Sequence, residues 1–101
     1  MLRKGLKMRM VARVGDIHGG HQCFSPTPAI QGSSNVIVNG RPCLTVGSQF
    51  MPHGCPNPHP VVAATGSSLV YVNGRPITRV GDKTVCRATI IVGSSNVFAG
   101  G

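Results

Sequence analysis

The chemistry available to this 101-residue sequence is concentrated in four histidines and four cysteines: His18, His21, His53, His59, Cys23, Cys43, Cys55 and Cys86. Imidazole nitrogens and thiolates are the preferred ligands of a zinc-type site. No Cys-x-x-Cys occurs, so a zinc ribbon or a thioredoxin-like redox site lacks its motif. Catalytic signals are few. Asp16 and Asp82 are the only acids, and each follows a glycine. In such a turn an aspartate more often caps its own backbone than acts as a base. His53 and Cys55 are close enough in sequence to pair as a thiol nucleophile, but no third residue presents itself to orient them. The Ser-Ser pairs Ser33-Ser34, Ser67-Ser68 and Ser94-Ser95 recur three times, whereas a catalytic serine is usually a single residue. The expectation is a protein that is not an enzyme.

The positions of these residues are set by an internal repeat. Gly32-Ser33-Ser34-Asn35-Val36-Ile37-Val38-Asn39-Gly40-Arg41-Pro42 returns as Gly66-Ser67-Ser68-Leu69-Val70-Tyr71-Val72-Asn73-Gly74-Arg75-Pro76. A third copy opens at Gly93-Ser94-Ser95-Asn96-Val97-Phe98 and stops where the others read Asn-Gly. A second element follows each Arg-Pro: Val46-Gly47-Ser48 and Arg79-Val80-Gly81-Asp82, with the remaining copy, Arg13-Val14-Gly15-Asp16, at the front. The middle copy has Ser48 where the others have aspartate. The two half repeats sum to one, as in a closed ring of three units, and closure removes the sheet edges that invite aggregation. Within each unit, Val36-Ile37-Val38 and Val70-Tyr71-Val72 predict short strands. Asn39-Gly40 and Asn73-Gly74 predict type I′ hairpins. Pro26–Ile30 lacks the capping residues of a helix. The fold class expected is all-β, with one domain over residues 10–101 and a basic leading segment over 1–9, in which Met8, or Met10 just beyond it, is an alternative start.

The repeat frame also sorts the ligands. His21 lies six residues after Gly15, and His53 six after Gly47. His59 lies seven residues before Gly66, and Cys86 seven before Gly93. Two symmetric rules thus select His21, His53, His59 and Cys86, a closed tetrahedral set for a structural Zn²⁺ with no open position for water. His18 is the alternative to His21. Cys23, Cys43 and Cys55 are expected to be small buried hydrophobes. One ion held by three connectors would compensate for the small core of a short chain.

The net charge of +8 raises nucleic acid as a partner, and a basic nucleic-acid-binding module with a structural zinc is the alternative function. Against it, four basic residues cluster at Arg3, Lys4, Lys7 and Arg9, and the others are scattered without the aromatics that stack bases, which reads as a solvated basic surface and a tail. No apolar run is long enough to span a membrane. The first residues lack the apolar core of a signal peptide, which predicts a cytoplasmic protein.

The frame Gly-Ser-Ser-Asn-Val-x-Val-Asn-Gly-Arg-Pro followed by Arg-Val-Gly-Asp, with His and Cys in the connectors, resembles the PAAR-repeat proteins over about residues 10–101. The name-giving tetrapeptide is degenerate, reading Met10-Val11-Ala12-Arg13, Pro42-Cys43-Leu44-Thr45 and Pro76-Ile77-Thr78-Arg79. The resemblance implies a three-sided β cone of three pseudo-symmetric repeats with zinc near its tip, bound by His21, His53, His59 and Cys86. It implies a cone, monomeric when alone, that caps and sharpens a trimeric VgrG-like spike of a type VI secretion system or a related contractile machine. The cone would touch a target membrane transiently, accompany effectors, and leave the cytoplasm on the spike. Some relatives carry effector extensions; 101 residues leave no room for a toxin domain.

Overall fold

The computed structural model describes residues 8–20, 25–54 and 58–101. The described residues form strands, bridges and turns, with no helix. Three two-residue pairs make the frame. Strand β2 (Ile37–Val38) pairs with β3 (Arg41–Pro42), and β6 (Tyr71–Val72) pairs with β7 (Arg75–Pro76), both antiparallel. The third pair joins the two ends of the chain: β1 (Arg9–Met10) lies against β8 (Phe98–Ala99), with Arg9 opposite Ala99 and Met10 opposite Phe98. The ring therefore closes as the half repeats require. The turns match expectation too. Asn39 and Gly40 have φ of 53° and 80°, and Asn73 and Gly74 have 54° and 80°, the positive pair that a type I′ turn demands.

Closure extends to the centre of the molecule. The Leu44 amide donates to the Ala12 carbonyl at 2.9 Å, Ala12 to Thr78 at 3.0 Å, and Thr78 back to Leu44 at 2.9 Å. A second cycle runs beside it: Val14 to Pro42 at 2.9 Å, Val46 to Pro76 at 2.9 Å, and Val80 to Met10 at 2.8 Å. Ala12, Leu44 and Thr78 are completely buried, where an unpaired peptide group is costly. Each repeat satisfies its neighbour.

Apolar side chains pack in two clusters. Val11, Cys43 and Ile77, equivalent in the three repeats, join Val38, Val72 and Ala99 from the hairpins. Ala12, Leu44, Ala29, Ala63 and Ile90 form the other, filled out by Phe50 and Val61. The glycine that opens each Gly-Ser-Ser is required by close approach. A Cβ on Gly32 would lie 2.7 Å from the Cys43 carbonyl oxygen, and one on Gly66 would lie 2.6 Å from that of Ile77. The next serine then holds the strand start: Ser33, Ser67 and Ser94 hydroxyls accept the amides of Val36, Val70 and Val97 at 3.0, 2.9 and 2.9 Å. These three repeated hydroxyls are turn-formers.

Two features depart from expectation. The second connector is the most regular element of the fold: β4 (Gln49–Gly54) pairs with β5 (Pro58–Val62) through a register shift between Phe50 and His53. The three prolines within these strands, Pro52, Pro58 and Pro60, mask the strand signal, since proline lacks a donor and is confined to edges and bulges. The second departure concerns charge. The scattered arginines are not all a solvated surface. Arg13 and Arg79 are 7% and 1% exposed. Asp16 accepts the Arg13 amide at 2.8 Å and its Nε at 2.9 Å; Asp82 accepts the same groups of Arg79 at 2.8 and 3.1 Å. Arg9 adds a further bond to Asp82 at 3.0 Å. Each aspartate caps its backbone, as expected, and also neutralises a buried guanidinium.

Removing one partner of such a pair strands the other in a dry site. Asp82→Ala, which orphans Arg79 and cuts the Arg9 tie between the chain ends, is expected to lower unfolding free energy by about 3–5 kcal/mol. Urea denaturation measures this directly; a loss below about 1 kcal/mol would place the pair among weak surface bridges.

Candidate metal centre

The second and third connectors bring three of the four expected ligands together. His53 and His59 face each other across the β4–β5 pair. Cys86 is presented by a tight turn in which the Arg87 amide donates to the Thr84 carbonyl at 2.9 Å and Arg87 adopts φ of 71°. The Thr84 hydroxyl accepts the Ala88 amide at 3.0 Å and lies 3.2 Å from the Cys86 sulfur. The ligating atoms of His53, His59 and Cys86 all lie within 4.8 Å of one another. His53 is buried, and the other two are partly buried.

The geometry suits a tetrahedral ion. The two Nε2 atoms are 2.7 Å apart, and the Cys86 sulfur is 3.7 Å from His53 Nε2. Metal–ligand bonds of about 2.0–2.1 Å to nitrogen and 2.3 Å to sulfur, at tetrahedral angles, place N and N about 3.4 Å apart and N and S about 3.6 Å apart. The sulfur already stands at the required separation from His53 Nε2, and the two rings need open by less than about 1 Å. His53 is also held in the correct tautomer. Its Nδ1 lies 2.9 Å from the Ser25 carbonyl oxygen, which can only accept, so the proton sits on Nδ1 and the Nε2 lone pair faces the site. Such a carbonyl partner is the usual orienting contact of a ligating histidine. These three residues could hold a metal ion.

The fourth expected ligand, His21, lies outside the described residues, as do Cys23 and Cys55. His18, its alternative, is completely buried beside the cluster, with its ring edge-on to His53 at 5.0 Å between centroids. Its Nδ1 accepts the Gly20 amide at 2.9 Å, and its Nε2 lies 2.7 Å from the Thr27 hydroxyl. Both nitrogens thus face partners other than the convergence point of the three ligands. His18 walls the centre against Phe50, whose ring centroid is 5.4 Å away. Of the cysteines expected to be buried, Cys43 is completely so. Burial pushes its thiol up from the ordinary range, which leaves little thiolate to react.

An all-β ring of three repeats with a His/Cys cluster between its connectors defines a small β-repeat protein whose connectors could share a metal ion. Residues 53–101, the stretch that holds His53, His59 and Cys86, match the family model of the PAAR motif, consistent with a PAAR-repeat protein. No curated protein matches the chain.

Metal should hold the cluster and shield its thiol. Metal at a thousandfold excess over Kd adds about 4 kcal/mol to stability. A chelator is therefore expected to lower Tm in the parent protein, and Cys86→Ala should abolish that response. Alkylation followed by peptide mass spectrometry separates the thiols. Cys86 should be protected with metal and labelled promptly without it, while Cys43 stays slow in both states. Equal labelling of Cys86 with and without metal excludes it as a ligand.

Proposed function

We propose that this chain is a spike-tip protein: a cone, pinned by one structural Zn²⁺, that caps the blunt end of a trimeric VgrG-like β-helical spike in a type VI secretion or related contractile machine. One observation carries this reading. Ile37, Tyr71 and Phe98 occupy the same position in the three repeats, and all three are large, apolar and 55%, 56% and 46% exposed. Exposed apolar residues repeated with the symmetry of a ring fit a partner of the same symmetry. The short strand pairs that carry them offer strand edges for β-augmentation of a trimer's sheets.

Zinc is the ion that the donor set favours, two imidazoles and a thiolate being borderline-soft. His53, His59 and Cys86 would hold it, with His21 as the fourth ligand. Bound there, the ion supplies a rigid cross-link among connectors rather than a reactive water, because a closed set leaves no open position. The function proposed is therefore mechanical and not enzymatic: puncture of a target membrane and escort of effectors. The chain would be assembled in the cytoplasm and translocated with the spike. The charge distribution supports this over the nucleic-acid reading, since four of the ten basic residues (Arg9, Arg13, Arg41 and Arg79) already face Asp16 or Asp82.

Mixing the protein with a trimeric spike protein from the same organism should give a complex of one chain per trimer by native mass spectrometry. Tyr71→Glu should weaken it by roughly tenfold or more, as expected for an aromatic contact at an interface. A stoichiometry of three chains per trimer, or binding indifferent to Tyr71→Glu, contradicts the proposed mode.

A further inference from the structure

The three vertices of the ring are built alike, except that one lacks its carboxylate. At the first, Arg41 from the following strand reaches over Gly15 toward Asp16, with Nη1 3.6 Å from Oδ1. At the third, Arg9 reaches over Gly81 and bonds Asp82 at 3.0 Å. At the second, Arg75 lies over Gly47 in the same way, its Nη1 3.2 Å from where a Cβ would stand. There the aspartate is Ser48 and the buried arginine is Thr45. The Ser48 hydroxyl accepts the Thr45 amide at 3.0 Å, taking the place of the carboxylate oxygen that accepts the Arg13 and Arg79 amides at 2.8 Å. Among the described residues nothing takes the place of the second oxygen, the one that faces the reaching arginine.

The missing side chains leave a space. A cavity of about 310 Å³ opens at this vertex, lined by Thr45, Ser48 and Arg75 together with Gln31, Ser34 and Asn73. Its lining is mixed, with Val72 beside the polar groups, and its one charge is positive. The chain holds two acidic side chains in all, and both are engaged at the other vertices. Among the described residues no carboxylate faces Arg75. A guanidinium presents a planar fork of donors matched to a carboxylate, and hydroxyl and amide groups around it can satisfy the remaining lone pairs.

We propose that this cavity is a carboxylate-binding site, in which Arg75 receives from outside the chain the group that Asp16 and Asp82 supply to Arg41 and Arg9. The two intact vertices are its template: one oxygen toward the reaching arginine, the other toward the turn. The carboxylate comes either from a small free acid or from an acidic side chain of a partner.

The metal-loaded full chain tests this by thermal melting in sodium acetate, with sodium chloride at equal ionic strength and acetamide as the uncharged isostere. Saturating acetate is expected to raise Tm by roughly 5 °C over both controls. Arg75→Gln should abolish the rise. Ser48→Asp should raise Tm by itself and remove the response, because the chain then supplies its own carboxylate. A blocked Gly-Asp-Gly peptide compared with Gly-Asn-Gly distinguishes the sources: a response to the aspartyl peptide assigns the site to side chains, and a response to acetate alone assigns it to free acids. Should Ser48→Asp fail to fold, acetate-dependent amide shifts in the parent protein at Thr45, Ser48 and Arg75 carry the test. The proposal is overturned if acetate acts no better than chloride, if its effect survives Arg75→Gln, if the shifts lie elsewhere, or if inorganic phosphate acts as strongly as acetate.

Discussion

The cyclic exchange of backbone hydrogen bonds among Ala12, Leu44 and Thr78 is the constraint on which the rest of the molecule depends. Each of these buried peptide groups finds its partner in the next repeat, so no repeat is satisfied alone. A chain of 101 residues with three phenylalanines, one tyrosine and no tryptophan has little aromatic area to bury. It compensates by making its core polar along the axis and apolar on either side. The Arg13–Asp16 and Arg79–Asp82 pairs extend the same solution outward. They fill volume with paired charge where a larger domain would use hydrocarbon, at a desolvation cost that only good geometry offsets.

Because the frame is fixed by the backbone, the connectors are free to differ. The second connector became a hairpin that places His53 opposite His59. The third became a short turn that presents Cys86. A centre assembled from non-equivalent loops on an equivalent frame is the arrangement expected when a scaffold supplies rigidity and loops supply chemistry. The orienting bond from His53 to the Ser25 carbonyl adds the first connector to the same construction.

Much of this was legible in the residues. The Asn-Gly turns, the closure of the ring and the coming together of His53, His59 and Cys86 follow from counting within the repeat, because turn chemistry and repeat spacing act locally. Other features were not legible, for physical reasons. The β4–β5 pairing is hidden by Pro52, Pro58 and Pro60, whose cost to a strand depends on which edge they occupy. The burial of Arg13 and Arg79 is invisible to a charge count, since it depends on an aspartate three residues on and on the space the ring encloses. The central hydrogen-bond cycle involves no particular side chain, so Ala12, Leu44 and Thr78 share no residue type that could reveal it. Ser48 stood out as a departure from the repeat, but what it vacates is a matter of volume and can be seen only in three dimensions.

The joint between β1 and β8 gives the ring a mechanical polarity. Two sides of the triangle are covalently continuous through the Asn39-Gly40 and Asn73-Gly74 turns. The third is a seam, held by the Arg9–Ala99 and Met10–Phe98 pairing and by the bond from Arg9 to Asp82. Under compression along the axis the load divides among three sides, but hoop tension in the ring has only hydrogen bonds to resist it at this one. The weakest circumferential element therefore lies at the β1–β8 pairing. A ring built this way opens first along a line that its sequence fixes in advance.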